Sequence, residues 1–369
     1  GGKMKDKTLL MIPGPTPVPE NVLLEMAKAP VPHRSSEFSA IFDEVNENLK
    51  WIFQTKNDVF IFASSGTGAM EAALSNLVNA GDKVLSLVIG NFGERWAKIA
   101  ESHGAIAERL SVPYGEVINP ADLKKRLDED VNKEIKIVTL TQSETSTGAV
   151  NDVKALCKII NEHGALSVVD GVTSVGAIDI KPDEWKIDVL VSGSQKGFMI
   201  PPGLAFLTAS DRAFEVHKQC KYPGFYFNWS SYKKSLSQHT TPYTPAVNLI
   251  IALHAALKML REEGLENVLA RHKSNAMLLR NSLREMGLKL FVEDDSKASY
   301  AVTSVYPPEG VSVPDIRRIL KDDYDIIVAN GQNDLKDKIF RIGTLGFVSE
   351  RDILTVVAAL KAVIEKLKV

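Results

Sequence analysis

The 369-residue chain has few cysteines and almost no net charge, and both shortages exclude classes of protein. Its two cysteines, Cys157 and Cys220, form no Cys-x-x-Cys pair and no spacing typical of a metal site. So few cysteines in so long a chain suit a reducing compartment, and we expect a cytoplasmic protein without a bound metal. The formal net charge of −2 gives no basic field that would attract nucleic acid or a membrane surface.

Long apolar runs and nucleotide-binding motifs are missing too. No uninterrupted apolar stretch is long enough to span a bilayer, and no secretory signal pattern opens the chain. Neither a P-loop lysine motif nor Gly-x-Gly-x-x-Gly occurs, which argues against a nicotinamide-dependent dehydrogenase.

The chain does contain short apolar stretches that alternate with amphipathic ones. This alternation predicts an α/β fold with a mostly parallel seven-stranded sheet covered by helices on both faces. Strands are expected at 59–63, 83–88, 105–110, 135–140 and 203–208, and directly before Asp170 and Lys196. Helices are expected, among others, from Ala69 and over 153–163. The order of the predicted elements along the chain indicates three parts. These are an extended, proline-rich N-terminal segment (1–18), a large domain (19–262) and a smaller C-terminal α+β domain (263–369).

Two residues at the ends of successive strands carry the chemistry. Asp170 ends one predicted strand and Lys196 follows the next, at the sheet edge where open parallel sheets bind ligands. A buried lysine amine that loses its charge attacks aldehydes to form a Schiff base. An acid aimed at a pyridinium nitrogen is the other half of a pyridoxal phosphate (PLP) site. Each residue alone would be read as surface lysine or helix cap, so the prediction depends on their joint order.

Further motifs fit a flat phosphorylated cofactor. Ser65-Gly66-Thr67 lies at a strand-to-helix turn whose free N–H groups suit a phosphate, to which Gln195 could add a donor. Phe92 follows the next strand and could stack on a ring, although a core aromatic is as consistent. Thr145 belongs to a hydroxyl-rich turn that could bond a ring oxygen or serve only as a turn.

An arginine also lies inside a predicted strand near the C-terminus. A charge there is costly unless it is paired, and the fork of Arg341 suits the carboxylate of an amino or keto acid. A structural ion pair is the alternative.

These residues belong to stretches that resemble one family. The chain is similar to class V (fold type I) PLP-dependent aminotransferases, and most like the alanine–glyoxylate and serine–pyruvate group. The matching stretches are spread over nearly the whole chain in the order of the family: 12–16, 65–74, 90–95, 144–148, 169–174, 192–197, 201–203 and 341–343. The Ser-Gly-Ser-Gln-Lys block ending at Lys196 is the most specific of them.

The resemblance implies a role for each site residue. Lys196 would carry the Schiff base and shuttle a proton, and Asp170 would keep the pyridine nitrogen protonated. Arg341 would bind the substrate carboxylate beside Pro13 and Gly14. The other implied cofactor-binding residues are Ser65, Gly66, Thr67, Phe92, Thr145, Val172, Gln195, Tyr243 and Thr244, of which Tyr243 and Thr244 would reach the neighbouring subunit of a homodimer with shared sites.

The expected function is a PLP-dependent transaminase that moves an amino group from alanine or serine to glyoxylate or pyruvate. Small donors are favoured because no second arginine clearly awaits a side-chain carboxylate. Aspartate or 2-aminoethylphosphonate as donor stays open. His33-Arg34 could serve an anionic side chain, although a surface pair is as consistent. A cysteine desulfurase or a non-catalytic binding subunit is the less favoured alternative, the former because neither cysteine has a reactive setting.

Overall fold

The computed structural model describes residues 7–368, so residues 1–6 of the predicted N-terminal segment and residue 369 lie outside the described residues. The described strands are β1 (Leu9–Met11), β2 (Val59–Ala63), β3 (Lys83–Val88), β4 (Ile106–Ser111), β5 (Ile135–Thr141), β6 (Ser143–Glu144), β7 (Ala149–Val150), β8 (Leu166–Asp170), β9 (Val189–Gly193), β10 (Leu204–Ala209), β11 (Val302–Val305), β12 (Ile326–Asn330) and β13 (Phe340–Gly343). The described α-helices are α1 (Glu20–Met26), α2 (Ser36–Phe53), α3 (Gly66–Ser75), α4 (Asn91–Ser102), α5 (Pro120–Asp128), α6 (Val153–His163), α7 (Pro182–Trp185), α8 (Asp211–His217), α9 (Trp229–Leu236), α10 (Val247–Glu263), α11 (Leu265–Glu285), α12 (Val313–Tyr324) and α13 (Glu350–Leu367).

The larger sheet has seven strands in the order β2-β10-β9-β8-β5-β3-β4. Neighbouring strands from β9 to β4 pair in parallel, whereas β10 is antiparallel to both β2 and β9. Strands β8, β9 and β10 are buried along their whole length, as expected of a sheet with helices on both faces. The mostly parallel seven-stranded sheet predicted from the sequence is confirmed.

Two apolar clusters cover the two faces of this sheet. Along β2, Val59 and Ile61 join one cluster and Phe60 and Phe62 join the other, because side chains alternate between the faces of a strand. Helices α2, α6 and α10 contribute to the first cluster, and α3, α4 and α9 to the second. The candidate functional site lies at the carboxyl ends of the strands.

Helix α3 begins three residues earlier than the sequence pattern predicts. We expected it to start at Ala69, because Gly66 and Gly68 are poor helix formers. In the structure Ser65 is the N-cap, and its hydroxyl accepts a hydrogen bond from Gly68 N at 3.4 Å. Gly66 and Thr67 therefore form the first turn, where backbone N–H groups have no partner within the helix.

The C-terminal part has its own four-stranded sheet in the order β1-β12-β13-β11. Strand β1, from the predicted extended N-terminal segment, pairs in parallel with β12, with Leu10 opposite Ile327. A third apolar cluster joins Met11 of β1 to Phe340 of β13 and Ile353 of α13. The predicted domain boundaries, 18/19 and 262/263, stay predictions.

Several short elements were not expected from the sequence. These are helices α1, α7, α8 and α9, and the hairpin of β6 and β7. Within residues 7–368, no helix combines the length and the apolar character needed to cross a bilayer.

Candidate active site

The predicted strand-end residues meet in one cavity of about 210 Å³. Asp170 ends β8, and Gln195 and Lys196 follow β9, so adjacent parallel strands deliver them to the same edge of the sheet. The cavity is lined by Ser65, Gly66, Thr67, Met70, Phe92, Arg95, Ser143, Thr145, Asp170, Val172, Thr173, Gln195 and Lys196.

The amine of Lys196 is held by the N-terminal segment. Its Nζ donates a hydrogen bond to the Pro13 carbonyl oxygen at 2.6 Å. A Cβ added at Gly14 would lie 2.2 Å from Nζ, so the segment passes the amine where a side chain would not fit. Burial, with a smaller contribution from Arg341, lowers the pKa of Lys196 to about 8, partly opposed by Asp170. Near neutral pH, Lys196 is therefore uncharged and nucleophilic in part of the protein molecules.

The Asp170 carboxyl group is buried, and its Oδ1 accepts a hydrogen bond from Val172 N at 2.8 Å. Burial raises the pKa of Asp170 to about 7, with the Val172 hydrogen bond acting in the opposite direction. A positively charged partner beside this group would favour the carboxylate. The side chain therefore suits a pyridinium nitrogen in the same cavity.

The other end of the cavity has features that fit a phosphate group. Gly66 and Thr67 present the first turn of α3, and a Cβ at Gly66 would lie 2.9 Å from Val172 Cγ2. The Oε1 atom of Gln195 is buried and has no hydrogen-bond partner among residues 7–368. An amide oxygen only accepts hydrogen bonds, so a phosphate would instead be met by the Nε2 amide group of this side chain. These residues fit pyridoxal phosphate.

Arg341 lies in β13 and is only 5% exposed. Its Nε donates to the Asn330 carbonyl at 2.8 Å, and its Nη1 donates to the Thr145 carbonyl at 2.9 Å. In the described part of the chain, no carboxylate lies within ion-pair distance, so the structural ion pair considered above is not formed there. Burial lowers the pKa of Arg341 to about 10, and Glu144 counteracts this shift. The guanidinium is thus a buried cation that can take an incoming carboxylate.

Phe92 is positioned by a buried carboxylate that the sequence analysis did not single out. The Glu144 carboxylate accepts hydrogen bonds from the backbone N–H groups of Phe92 and Gly93, at 3.1 Å each, and from the Ser146 hydroxyl at 2.6 Å. Burial raises the pKa of Glu144, with these hydrogen bonds opposing the shift. A carboxylate at the N-terminus of α4 is favourable and fixes the turn that presents Phe92 to the cavity.

Five predicted residues lie outside the cavity lining: Pro13, Gly14, Arg341, Tyr243 and Thr244. Tyr243 and Thr244 line a separate hollow, where the Tyr243 hydroxyl donates to the Phe225 carbonyl at 3.1 Å. Arg34 donates to the Thr241 carbonyl at 2.7 Å and so supports this same segment.

Neither cysteine reaches the cavity. Cys157 is buried in α6, where burial raises its pKa to about 12. The Cys220 thiol donates to the Ser75 carbonyl at 3.4 Å, at the far end of α3, and burial raises its pKa as well. Both settings oppose thiolate formation.

Four lining residues, Met70, Arg95, Ser143 and Thr173, received no role from the sequence, although all but Ser143 fall inside the matching stretches. For Arg95 the spacing gives one indication, because this residue follows Phe92 by three positions and so lies on the same helix face.

Comparison with known proteins is consistent with this geometry. A relative from a Synechococcus species, named soluble hydrogenase small subunit, is 49% identical over 99% of this chain and 94% of its own. The L-aspartate–glyoxylate aminotransferase of Paracoccus denitrificans is 35% identical, covering 99% of this chain and 93% of that protein. The crystal structure of an alanine–glyoxylate aminotransferase from Nostoc superposes with a TM-score of 0.92 at 33% identity, covering 98% and 97% of the two chains. The class-V aminotransferase family model matches residues 8–342, and the chain belongs to this family.

Proposed function

We propose that this aminotransferase moves an amino group from a small L-amino acid, alanine or serine, to glyoxylate or pyruvate. The observation that carries the proposal is the pairing of Lys196 and Asp170 in one cavity, with burial lowering the pKa of the lysine and raising that of the acid. Pyridoxal phosphate, the cofactor of the family, supplies an aldehyde for the lysine and an electron sink for the amino acid Cα.

The residues of the chain divide the remaining work. Asp170 would hold the proton on the pyridine nitrogen, and Phe92 would cover one ring face. Lys196 Nζ, once released from the cofactor, is the base that would take the Cα proton and return it on the acceptor. Because Nζ donates a hydrogen bond to the Pro13 carbonyl at 2.6 Å, the amine has a fixed resting position in the absence of ligand.

Arg341 would orient the substrate by its α-carboxylate. Its Nε and Nη1 are anchored to two carbonyl oxygens, while its Nη2 makes no hydrogen bond with residues 7–368. An arginine anchored in this way loses little side-chain entropy when it binds a carboxylate. Every amino or 2-oxo acid carries that group, so Arg341 serves both half-reactions.

The choice of donor depends on the far end of the substrate. The cavity of about 210 Å³ must also hold the cofactor, which favours short side chains. Aspartate is the second candidate, because Arg95 lines the same cavity and could meet a second carboxylate. Both glyoxylate aminotransferases compared above are named for glyoxylate, which supports it as acceptor.

The hydrogenase name of one relative has no counterpart in the described side chains. Among residues 7–368, no three His, Cys, Asp or Glu side chains form a group that could hold a metal ion. The pairing of Lys196 and Asp170 in one cavity, by contrast, supports transamination as the better candidate.

We also propose that two copies of the chain share their sites. Tyr222 and Phe225 are 87% and 80% exposed, which is unusual for large apolar side chains. Phe225 and Tyr226 contact the ring of Tyr243, and Phe227 approaches Gly68 in the first turn of α3. An apolar surface next to the phosphate end of the cavity supports an interface there.

The test is a panel of amino donors assayed with purified protein and pyridoxal phosphate. Alanine, serine, aspartate and 2-aminoethylphosphonate are each paired with glyoxylate or pyruvate, and kcat/KM is compared. We expect alanine and serine with glyoxylate to exceed the others, and the cofactor spectrum to shift when the donor is added. Lys196→Ala is the control and should show neither effect. Bound cofactor without turnover of any pair would favour a non-catalytic subunit.

A further inference from the structure

Arg95 occupies an unusual place between two parts of the cofactor site. It lies in the first turns of α4, three residues after Phe92, and its side chain lines the cavity. Its Nη1 donates a hydrogen bond to Thr67 Oγ1 at 2.8 Å, which joins it to the first turn of α3. Its guanidinium carbon also lies 4.6 Å from the centre of the Phe92 ring, a distance typical of a cation–π contact.

The charge of Arg95 is not neutralised by the surrounding protein. The adjacent carboxylate, Glu94, is paired with Arg109 at 2.8 Å. Glu144 is hydrogen-bonded to the backbone at the start of α4. In the described chain, no carboxylate lies within ion-pair distance of Arg95, although it favours the charged form of Asp170 from farther away. A partly buried cation beside a cavity therefore lacks an anion.

The phosphate end of the cavity, by contrast, would hold an anion with too little positive charge around it. A bound phosphate monoester carries about −1.5 to −2 charges at neutral pH. The residues implied for it, Ser65, Gly66, Thr67 and Gln195, offer hydroxyl, amide and backbone donors, and the N-terminus of α3 adds only about half a positive charge. The hydrogen bond from Arg95 to Thr67 connects this cation to the phosphate end of the cavity. A hydroxyl that accepts a hydrogen bond from Arg95 keeps its own proton free to donate to a ligand.

We infer that Arg95 is the cation that binds the cofactor's phosphate group, acting both by its charge and through the Thr67 hydroxyl. This inference rests on the proposed function, since it takes the ligand to be pyridoxal phosphate. It also bears on the donor, because an arginine committed to phosphate is not available to the side-chain carboxylate of aspartate.

The experiment compares ligands that differ in the phosphate group alone. The full chain is freed of cofactor and titrated with pyridoxal phosphate and with pyridoxal, and Kd is read from the change in cofactor absorbance. The variants are Arg95→Gln, Arg95→Lys and Thr67→Val. Arg261→Gln is the matched control, because Arg261 also stacks on an aromatic ring, 4.7 Å from the centre of Trp51, but lies outside the cavity. Melting temperatures identify any variant that fails to fold.

For Arg95→Gln we expect the Kd of pyridoxal phosphate to rise about 10- to 100-fold, as for loss of a charge-assisted contact, with the Kd of pyridoxal nearly unchanged. Arg95→Lys should recover part of the loss, Thr67→Val should also weaken pyridoxal phosphate selectively, and Arg261→Gln should bind as wild type does. Equal losses for both ligands would overturn the inference, as would a defect confined to the KM for aspartate. If the wild-type chain does not bind pyridoxal phosphate at all, the proposed function fails with it. Tight binding of this cofactor by Arg95→Gln overturns the inference alone.

Discussion

At the scale of single residues, the amine of Lys196 has a pKa that the surrounding chain moves toward neutrality. Burial is the main cause, and the positive charge of Arg341 adds to it. The opposite shift of Asp170 has the same main cause, because burial disfavours the charged form of an amine and of an acid alike. A cavity that holds both groups is poised for a ligand that carries a cationic ring and an aldehyde.

The lowered pKa of Lys196 predicts how the capture of cofactor depends on pH. The amine is protonated well below pH 8 and neutral above it, so the capture rate should rise about tenfold per pH unit at low pH and level off above about 8. Stopped-flow absorbance of the cofactor-free chain mixed with pyridoxal phosphate measures this rate. Free Nα-acetyl-lysine is the control, because its ordinary pKa keeps its rate rising toward pH 10. A protein profile that rises in parallel with it would contradict the shifted pKa.

Gly14 provides a second prediction at this scale. Its φ of +146° is a conformation that side chains rarely adopt, and a Cβ there would overlap Lys196 Nζ. Gly14→Ala should therefore displace the Lys196 side chain and weaken cofactor binding, measured as a reduced absorbance change on titration. Gly164→Ala is the control, since Gly164 has a φ of +102° with nothing within 4 Å of the added Cβ, and should cost only about 1–2 kcal/mol of stability. Cofactor binding by Gly14→Ala equal to that of Gly164→Ala would contradict the close approach.

Sequence reasoning could bring Lys196 and Asp170 together but could not find the residues that support them. Lys196 and Asp170 were predictable because each follows a clear apolar strand, and strand ends meet by topology. Glu144 and Arg95 could not be assigned roles, because their partners are remote: Glu144 lies 52 residues from Phe92 and Arg95 lies 28 from Thr67. The pairing of a helix N-terminus with a distant carboxylate is decided by tertiary packing.

At the scale of elements, the turn between β6 and β7, together with Glu144 at the end of β6, connects three parts of the site. Glu144 caps α4, the Thr145 carbonyl holds Arg341, and the Thr145 hydroxyl lies 3.4 Å from that of Thr173. This arrangement links Phe92, Arg341 and the strand end at Asp170. Displacing this one turn would therefore disturb all three.

Replacing Glu144 tests the importance of this turn. Glu144→Ala leaves two backbone N–H groups of α4 without an acceptor and should lower the free energy of unfolding by about 2–4 kcal/mol. Glu144→Gln retains an acceptor oxygen and should lose less. Urea denaturation gives both values. Equal losses in the two variants, or a loss below about 0.5 kcal/mol in Glu144→Ala, would show that the cap contributes little.

Element boundaries were predictable where apolar runs end in glycine or in a capping side chain. Helix α6 was predicted at its observed bounds, with Asp152 as its N-cap and Gly164 in the left-handed region at its end. Helix α9 was missed because Ser230–Ser235 is mostly polar and only Trp229, Tyr232 and Ser235 are buried. Its position is set by aromatic contacts between Tyr232 and strand β2, which a local pattern does not reveal.

At the scale of the whole molecule, the exposed aromatic surface of Tyr222, Phe225 and Tyr226 predicts the assembly state. Replacing Tyr222 and Phe225 together by serine should shift the protein toward monomer and weaken cofactor binding, because Tyr243 packs on this surface. Light scattering after size exclusion gives the mass. Val131→Ser is the control, since Val131 is 82% exposed and does not belong to this surface. An unchanged dimer mass, or a wild-type monomer, would contradict the proposed interface.

The path of the N-terminal segment links the two sheets mechanically. Strand β1 is a member of the C-terminal sheet, whereas Pro13 and Thr16 are hydrogen-bonded to Lys196 beside the larger sheet. Between them, the Ile12 carbonyl runs so close to Gly343 that an added Cβ would lie 2.2 Å away. If the C-terminal sheet tilted away from the larger sheet, this segment would move with it, and the hydrogen bond between Pro13 and the Lys196 amine would break. The same movement would therefore open the cavity and release Lys196 Nζ from Pro13.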